Sequence, residues 1–332
     1  MNRVAVPLDL SPVAVRPRGG VMLEFGGPTM GVDWTVKALA PAGFDVAGAR
    51  DAVQAALNAV VAQMSPWEPA SDISRFNAAP AGAWMDLAPA FQHVLDRGLH
   101  WAQASDGAFD PALGRLVDLW GFGPPGPVTA PPSAEAVAEA RAAGGWDRLA
   151  REGRRIFQPG GLALDLSGIA KGFGVDEASA VLRRLGLAHH LVEIGGELRG
   201  EGVKADGEPW WAQIAPPPGL SLPGGPILVA LHGLAIATSG DYRRTLEHEG
   251  RRYAHTLDPR TGLAVDNGVR SVSVIAATCM DADALCTVLT VLGPDEGARF
   301  AQAHGVAAFM LVEDGRGLRE VVSPALAAML DS

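Results

Sequence analysis

The sequence predicts an α+β fold built mainly on antiparallel sheets, and three features support this class. Segments with helical and with strand-like periodicity are interleaved irregularly along the 332 residues, whereas a doubly wound parallel sheet needs regular strand–helix–strand units. Some strand-like segments follow one another across short glycine-containing turns, as in hairpins. Nearly half of the residues, 48%, are hydrophobic, so the chain can bury the core that packed layers need.

The predicted helices share apolar residues at three- and four-residue spacing. The clearest case begins after Asp45, a residue suited to cap a helix N-terminus. Gly144 and Gly145 end the alanine-rich third helix, and Pro294 begins a new helix rather than continuing the one before it. The predicted helical segments are 45–64, 88–104, 133–143, 171–185 and 280–292, with a further one from 294.

Three segments carry strand signals. The stretches "ILVALHGLAIATS" (227–239) and "RSVSVIAAT" (270–278) are rich in β-branched and other apolar residues. The stretch "RRIFQPGGLALDL" (154–166) predicts a hairpin whose two strands flank the turn at Pro159, Gly160 and Gly161. Together with the helices, these segments indicate one large domain or two closely packed lobes.

The N-terminal segment and the overall charge limit where the protein is expected to work and what it is expected to bind. Residues 1–20 are interrupted by prolines and predict an irregular extension ahead of a single domain over 21–330. No signal peptide and no transmembrane run of about 18 apolar residues is visible. We therefore expect a cytoplasmic protein, or a periplasmic one if an export signal has been removed. The net charge of −10 argues against nucleic-acid binding, which calls for a basic surface.

Two motifs could hold a metal ion and a phosphate group. In "DADALCT" (281–287), a helix would place Asp283 and Thr287 on one face, where a carboxylate and a hydroxyl can share Mg²⁺. The alternative is that the aspartates only cap the helix. In "LDLSGIAKGFGVD" (164–176), small residues precede a helix that begins with Lys171, so the junction suits either phosphate binding or tight packing.

Further candidates are aromatic or titratable. Phe109 could stack on an aromatic ligand while Asp110 bonds to a ring or a ribose, or the aromatic could belong to the core. Trp67 lies in a turn-rich loop and could form a stacking platform. Met30, in the corner "GPTMG", suits core filling. His255 in "AHTLDPRTG" is of the residue type that can move protons at neutral pH, although a single histidine is often structural.

The order of these motifs resembles one enzyme family. The resemblance extends from Gly27 to Leu292 and is to the ApbE-type flavin transferases, the FAD:protein FMN transferases. The motifs that carry it are, in order, "GPTMG", "MSPWEPASDISRFN", "SDGAFDPALGRLVDLWGFG", "LDLSGIAKGFGVD", "EIGGELRGEG", "ATSGDYRR", "YAHTLDPRTG" and "DADALCT".

The resemblance implies a fold and a reaction. The fold would be α+β and T-fold-like, with two lobes and the flavin site between them. The enzyme would bind FAD and Mg²⁺ and transfer the FMN moiety to a Ser or Thr hydroxyl of an acceptor flavoprotein, with release of AMP. An FAD pyrophosphatase that uses water as the nucleophile, and a flavin-binding protein without activity, remain alternatives.

The resemblance also implies residue roles. His255 falls where a histidine assists proton removal from the acceptor hydroxyl, and a few positions depart from the family pattern without removing a metal ligand, such as Pro66 and Glu193. The role of Arg260 stays open between a phosphate contact and a turn-stabilising ion pair. The implied metal ligands are Gly168 through its carbonyl, Asp283 and Thr287. The implied FAD contacts are Met30, Trp67, Ala108, Phe109, Asp110, Asp165, Lys171 and Leu257.

Overall fold

In a computed structural model, which describes residues 3–9, 15–17, 19–241 and 244–330, helices pack on a large antiparallel sheet. The helices are α1 (Val46–Met64), α2 (Asp72–Ala78), α3 (Pro89–Ala104), α4 (Gly114–Leu119), α5 (Ala134–Ala143), α6 (Ala170–Arg184), α7 (Cys279–Ala303) and α8 (Pro324–Leu330). The strands that precede α6 are β1 (Arg3–Ala5), β2 (Val21–Thr29), β3 (Val32–Ala40), β4 (Trp84–Asp86), β5 (Arg151–Glu152) and β6 (Arg155–Phe157). The strands that follow α6 are β7 (His190–Ile194), β8 (Glu197–Glu201), β9 (Trp210–Ile214), β10 (Ile227–Leu231), β11 (Leu234–Gly240), β12 (Thr245–His248), β13 (Arg251–Ala254), β14 (Leu257–Asp258), β15 (Leu263–Ala264), β16 (Val269–Ala276), β17 (Ala307–Asp314) and β18 (Gly317–Val322).

The main sheet has the strand order β18-β17-β16-β11-β8-β7-β3-β2, and each printed pairing in it is antiparallel. The remaining strands form small sheets, of which β1-β10-β9 contains the parallel pair of β1 with β10. The predicted α+β class with mainly antiparallel sheets is confirmed.

The main sheet separates two parts of the core because side chains alternate across it. Val272 and Val274 of β16 face the helices α3, α6 and α7. Ile275 of the same strand faces the small sheet of β9 and β10, together with Leu326 of α8. Within the described residues, no helix has the length and apolar character needed to cross a membrane.

Local signals place the helices where the sequence predicts them. The Asp45 carboxylate accepts a hydrogen bond from Gly48 N, and the Ser133 hydroxyl accepts one from Ala136 N, so both cap their helices. The predicted break near the end of the chain is also confirmed. Gly293 takes φ +76 inside α7, and Pro294 follows it, so the helix is interrupted there.

Two predictions about the backbone are wrong. Residues 1–20 are not irregular throughout, because Arg3–Ala5 pairs with β10 and Ala5 is buried against it; residues 1–2, 10–14 and 18 lie outside the described residues. The hairpin over 154–166 does not form, since β6 pairs with β4 and β5 instead.

Side-chain amides explain the missing hairpin. Gln158 binds the backbone of Phe76, Gly160 and Leu162. Asn77 donates to Leu164 O at 2.9 Å and accepts from Leu164 N at 2.7 Å. These amides satisfy backbone groups that a second hairpin strand would otherwise pair, so the chain can continue without forming one.

Candidate active site

A cavity of about 200 Å³ opens where distant parts of the chain meet. Its walls come from the segment after α3, the turn before α6, the start of β8, the end of β11, the loop after β13 and the first half of α7. The lining residues that the sequence predicted are Ala108, Phe109, Asp110, Asp165, Gly168, Lys171, His255, Leu257, Asp283 and Thr287.

One wall of the cavity presents oxygen atoms from α7 and from the turn before α6. Asp283 is buried, and its Oδ2 accepts a hydrogen bond from Gly172 N at 2.9 Å. Thr287 lies one helical turn further along α7. A Cβ placed on Gly168 would lie 3.0 Å from Thr287 Oγ1, so the backbone of Gly168 is adjacent to that hydroxyl.

This donor set fits a magnesium ion. Carboxylate, hydroxyl and carbonyl oxygens are the hard ligands that Mg²⁺ prefers, and Mg²⁺ in nucleotide sites usually takes only one or two carboxylates from the protein. Among the residues that the structure describes, no three His, Cys, Asp or Glu side chains converge as a metal cage. The wall at Asp283 and Thr287 therefore suits an ion whose remaining ligands come from outside the protein.

The close approach of α6 and α7 fixes the position of Asp283. A Cβ on Gly172 would lie 2.2 Å from Cys279 O, so the two helix backbones touch there without space for a side chain. Asp176 of α6 accepts hydrogen bonds from Cys279 N at 3.0 Å and Met280 N at 2.9 Å. Burial raises the pKa of Asp176, and an ion pair with Arg199 partly opposes the shift.

Lys171, at the start of α6, forms an ion pair with another cavity-lining residue, Glu197. Its Nζ lies 2.6 Å from Glu197 Oε2, and the Glu197 carboxylate, the first residue of β8, is almost fully buried. A buried carboxylate beside an ammonium group holds it in one place. Lys171 is therefore fixed within the cavity before any ligand arrives.

The segment after α3 supplies an aromatic side and a buried acid. Phe109 packs between two glycines, since Cβ atoms on Gly98 and Gly168 would each lie 3.4 Å from its ring. Asp110 accepts hydrogen bonds from Ala112 N at 2.7 Å and Trp146 N at 3.3 Å. Burial raises the pKa of Asp110 to about 6, and these two bonds only partly offset the cost of the buried charge.

His255 lies on the exposed side of the cavity, directly after β13. Its Nδ1 is 3.2 Å from the carbonyl oxygen of Arg244. A carbonyl oxygen can only accept, so in the neutral ring the proton is on Nδ1, and Nε2 is the nitrogen able to take up a proton. An edge-to-face contact with Phe122, at 6.3 Å between centroids, supports the ring from one side.

The geometry agrees with a family assignment. The sequence profile of the ApbE family matches residues 30–310. The chain belongs to the ApbE family. Two relatives, both named FAD:protein FMN transferase, come from Haemophilus influenzae and Vibrio cholerae. The first is 33% identical over 322 residues, covering 95% of this chain and 93% of the relative, and the second is 35% identical over 303 residues, covering 91% and 90%.

Solved ApbE structures share the fold. The apo flavinyl transferase ApbE of Pseudomonas stutzeri superposes with a TM-score of 0.87 at 38% identity, covering 94% of this chain and 98% of that one. The flavin transferase ApbE of Vibrio cholerae gives a TM-score of 0.84 at 33% identity, covering 93% and 99%. The resemblance to this family that the ordered motifs indicate is thus confirmed.

Two residues expected at the ApbE flavin site are not among the cavity-lining residues. Met30 takes φ +48 in the turn between β2 and β3, and its side chain reaches Gly174 of α6 and the core. This position agrees with the interpretation of Met30 as a residue that fills the core. A flavin contact of Met30 stays a prediction. Trp67 is half exposed and reaches the cavity only through a neighbour, because the Arg244 guanidinium lies 5.3 Å from its ring centroid.

Two further residues of this ApbE chain form ion pairs that bear on their roles. Asp281 bonds to Arg97 and to Trp101 Nε1, away from the cavity-lining residues, so it stabilises the packing of α3 on α7. Arg260 pairs with both carboxylate oxygens of Asp258, each at 3.0 Å. This pairing favours the turn-stabilising interpretation of Arg260, and a phosphate contact of Arg260 stays a prediction to be tested.

The sequence did not single out Glu197 or Arg244 as site residues. Glu197 follows a pair of glycines with φ +57 and +104, but its strand also carries Arg199 and Glu201, so no local charge pattern distinguishes it. Arg244 follows the strand β11 by four residues, in a segment with no helical or strand-like pattern of its own. Nothing local distinguishes Arg244 from the other arginines that follow it.

Proposed function

We propose that the protein is a Mg²⁺-dependent FAD:protein FMN transferase, which moves the FMN moiety of FAD to a Ser or Thr hydroxyl of an acceptor flavoprotein and releases AMP. One observation carries the proposal: a single cavity brings together the oxygen wall of Asp283 and Thr287, the fixed cation Lys171 and the proton acceptor His255. The names of the ApbE relatives support flavin transfer, and the finer points rest on the cavity.

The chemistry needs charge control and a base. In the transfer, the acceptor oxygen bonds to the phosphorus on the FMN side of the diphosphate while the bond from that phosphorus to the bridging oxygen breaks, and AMP departs with the bridging oxygen. Bound at Asp283, Thr287 and the Gly168 carbonyl, Mg²⁺ would neutralise phosphate charge and orient the leaving group. Phosphoryl transfer otherwise depends mainly on positioning.

The chain's own residues supply the remaining functions. His255 Nε2 takes the hydroxyl proton, since Nδ1 is committed to the Arg244 carbonyl. Lys171 contributes positive charge beside the phosphates, and its pairing with Glu197 keeps it in place. Phe109, Ala108 and Leu257 form buried apolar surface against which a flat ring can lie.

The deciding experiment incubates the full chain with FAD, Mg²⁺ and an acceptor that carries a Thr-containing motif. We expect AMP and acceptor-bound flavin in equal amounts, with flavin fluorescence that survives denaturing electrophoresis. His255→Ala should lower the transfer rate by about 10²- to 10⁴-fold while changing the Kd for FAD only slightly. The matched control is His248→Ala, on the same hairpin but bonded to Thr129 O and not lining the cavity.

Three outcomes would contradict the proposal or part of it. AMP release at the same rate without any acceptor would identify a pyrophosphatase, with water as the nucleophile. Tight FAD binding without turnover in Mg²⁺ would identify a carrier. Equal loss of FAD binding and transfer in His255→Ala would make His255 a pocket residue rather than the base. The cellular location stays a prediction.

A further inference from the structure

The charges that line the cavity are unfavourable for a diphosphate. Four lining carboxylates face two lining residues with permanent positive charge, Lys171 and Arg244. The four carboxylates are Asp110, Asp165, Glu197 and Asp283. Asp283 belongs to the proposed metal wall, where Mg²⁺ would neutralise part of the phosphate charge, and the remaining charge needs further cationic partners from the protein. The question is which side chain supplies them.

Lys171 is already engaged. Its 2.6 Å ion pair with Glu197 uses one of its donors and offsets its charge. Arg244 is in a different position, since within the described parts of the chain no carboxylate lies within ion-pair distance of its guanidinium. The nearby acid Asp241 is taken by Arg252 and Arg270, at 2.8 and 2.9 Å. Arg244 is therefore a lining cation with donors available to an anion.

Arg244 also has a defined support. Its guanidinium lies over Trp67, with the carbon 5.3 Å from the ring centroid. An arginine stacked on an aromatic face keeps its N–H groups directed outward in the guanidinium plane. Such a planar fork matches two phosphate oxygens at once.

The loop that carries Trp67 is held by hydroxyl groups. Ser71 Oγ donates to Ser65 O at 2.7 Å, and Ser74 Oγ donates to Pro66 O at 3.2 Å. Ser71 also caps α2 through Ser74 N. These bonds hold the backbone on both sides of Trp67 between the end of α1 and the start of α2. The ring therefore offers a fixed surface for the side chain of Arg244, which comes from the connection between β11 and β12.

We propose that Arg244 is a substrate-binding residue that contacts the diphosphate of FAD, and that Trp67 is a positioning residue that holds its guanidinium for this contact. The inference rests on the proposed function. It also links phosphate binding to proton removal, because Arg244 would bind the diphosphate through its side chain while its carbonyl oxygen orients His255. Phosphate and base would then keep a constant relation to each other.

The test compares ligands with and without the diphosphate. Full-length protein is titrated with FAD and with riboflavin, which has the flavin ring and no phosphate, in the presence of Mg²⁺ and without an acceptor. Arg244→Gln should raise the Kd for FAD about 10- to 100-fold and leave the Kd for riboflavin within about twofold. Arg244→Lys, which keeps the charge without the planar fork, should fall between the wild type and Arg244→Gln.

Matched variants separate this contact from a structural effect. Arg251→Gln removes another arginine of the same hairpin, one that pairs with Asp266 and does not line the cavity, and it should leave both Kd values unchanged. Trp67→Ala should raise the Kd for FAD by less than Arg244→Gln does. In the Arg244→Gln background, Trp67→Ala should add little, because its partner is already gone.

Each remaining outcome overturns the inference. An unchanged Kd for FAD in Arg244→Gln shows that Arg244 does not contact the diphosphate, and an equal loss of riboflavin binding shows a structural role only. Full additivity of the two substitutions shows that Trp67 does not act through Arg244. If the wild type binds FAD and transfers FMN while Arg244→Gln binds FAD normally, this inference fails and the proposed function stands. If the wild type binds no FAD, the proposed function fails first.

Discussion

The two sides of the cavity are built differently. On the side of the proposed metal ligands, the metal side, Asp283 is buried, accepts a hydrogen bond from a backbone N–H and belongs to a helix whose start touches the backbone of α6. On the side of the proposed base, the base side, His255 is partly exposed, follows a two-stranded hairpin and is held by a carbonyl oxygen and a ring contact. The first side depends on packing, and the second depends on a few polar contacts at the surface.

Because of this difference, the two sides should tolerate amino-acid substitutions to different degrees. A close-packed backbone contact leaves no space for even one methyl group, so the metal side should be sensitive to small changes in volume. Surface ion pairs contribute little to stability because water screens them. The base side should therefore tolerate changes of charge and size as long as the cavity-lining groups remain.

The largest stability effect is expected from Gly172→Ala. The added Cβ would lie 2.2 Å from Cys279 O and 2.8 Å from Asp283 Cβ, and the first of these is backbone that cannot rotate away. We expect the free energy of unfolding to fall by about 2–4 kcal/mol, measured by urea denaturation. Gly315→Ala is the control, because nothing lies within 4 Å of a Cβ there. Equal stability of both variants would show that α6 and α7 are not fixed by this contact.

The next largest effect on stability is expected from the buried acid Asp110, which lines the cavity from the segment after α3. Burial raises the pKa of Asp110 from an ordinary value of 3.8 to about 6, so between these values the native state binds this proton more tightly than the unfolded state does. The free energy of unfolding should fall as the pH rises through that window, by up to about 3 kcal/mol, and the contribution should then level off.

The measurement is urea denaturation at pH 4 and pH 7 for the wild type and for Asp110→Asn. The amide cannot ionise, so the variant should lose less stability than the wild type over this interval. The difference between the two pH dependences isolates Asp110 from other titrating groups, and any offset from the amide's altered hydrogen bonds to Ala112 N and Trp146 N does not depend on pH. Identical pH dependences would mean that Asp110 stays ionised in the native state.

The smallest effect is expected on the base side. Arg260 pairs with Asp258 in the turn that follows His255, and the arginine side chain is one third exposed. Arg260→Gln should lower the free energy of unfolding by less than about 1 kcal/mol and leave the Kd for FAD within twofold. A tenfold or larger loss of FAD binding would make Arg260 a phosphate contact and would remove the contrast with Arg244.

Local patterns in the sequence determined most of the framework. The periodicity and caps of α1 and α5 and the interruption at Gly293 depend on residues within a few positions of each other. The same holds for the spacing of Asp283 and Thr287 on one helix face. These features were predictable because hydrogen bonding and sterics within one or two turns decide them.

The partners of these elements were decided only by tertiary structure. The pairing of Lys171 with Glu197, the stacking of Arg244 on Trp67 and the replacement of the 154–166 hairpin by side-chain amides join residues far apart in the chain. No local signal selects one distant partner over another, because that choice depends on how whole layers pack. The sequence alone therefore named Lys171, His255 and the proposed metal ligands, and the packed fold decided which charged groups lie next to each other.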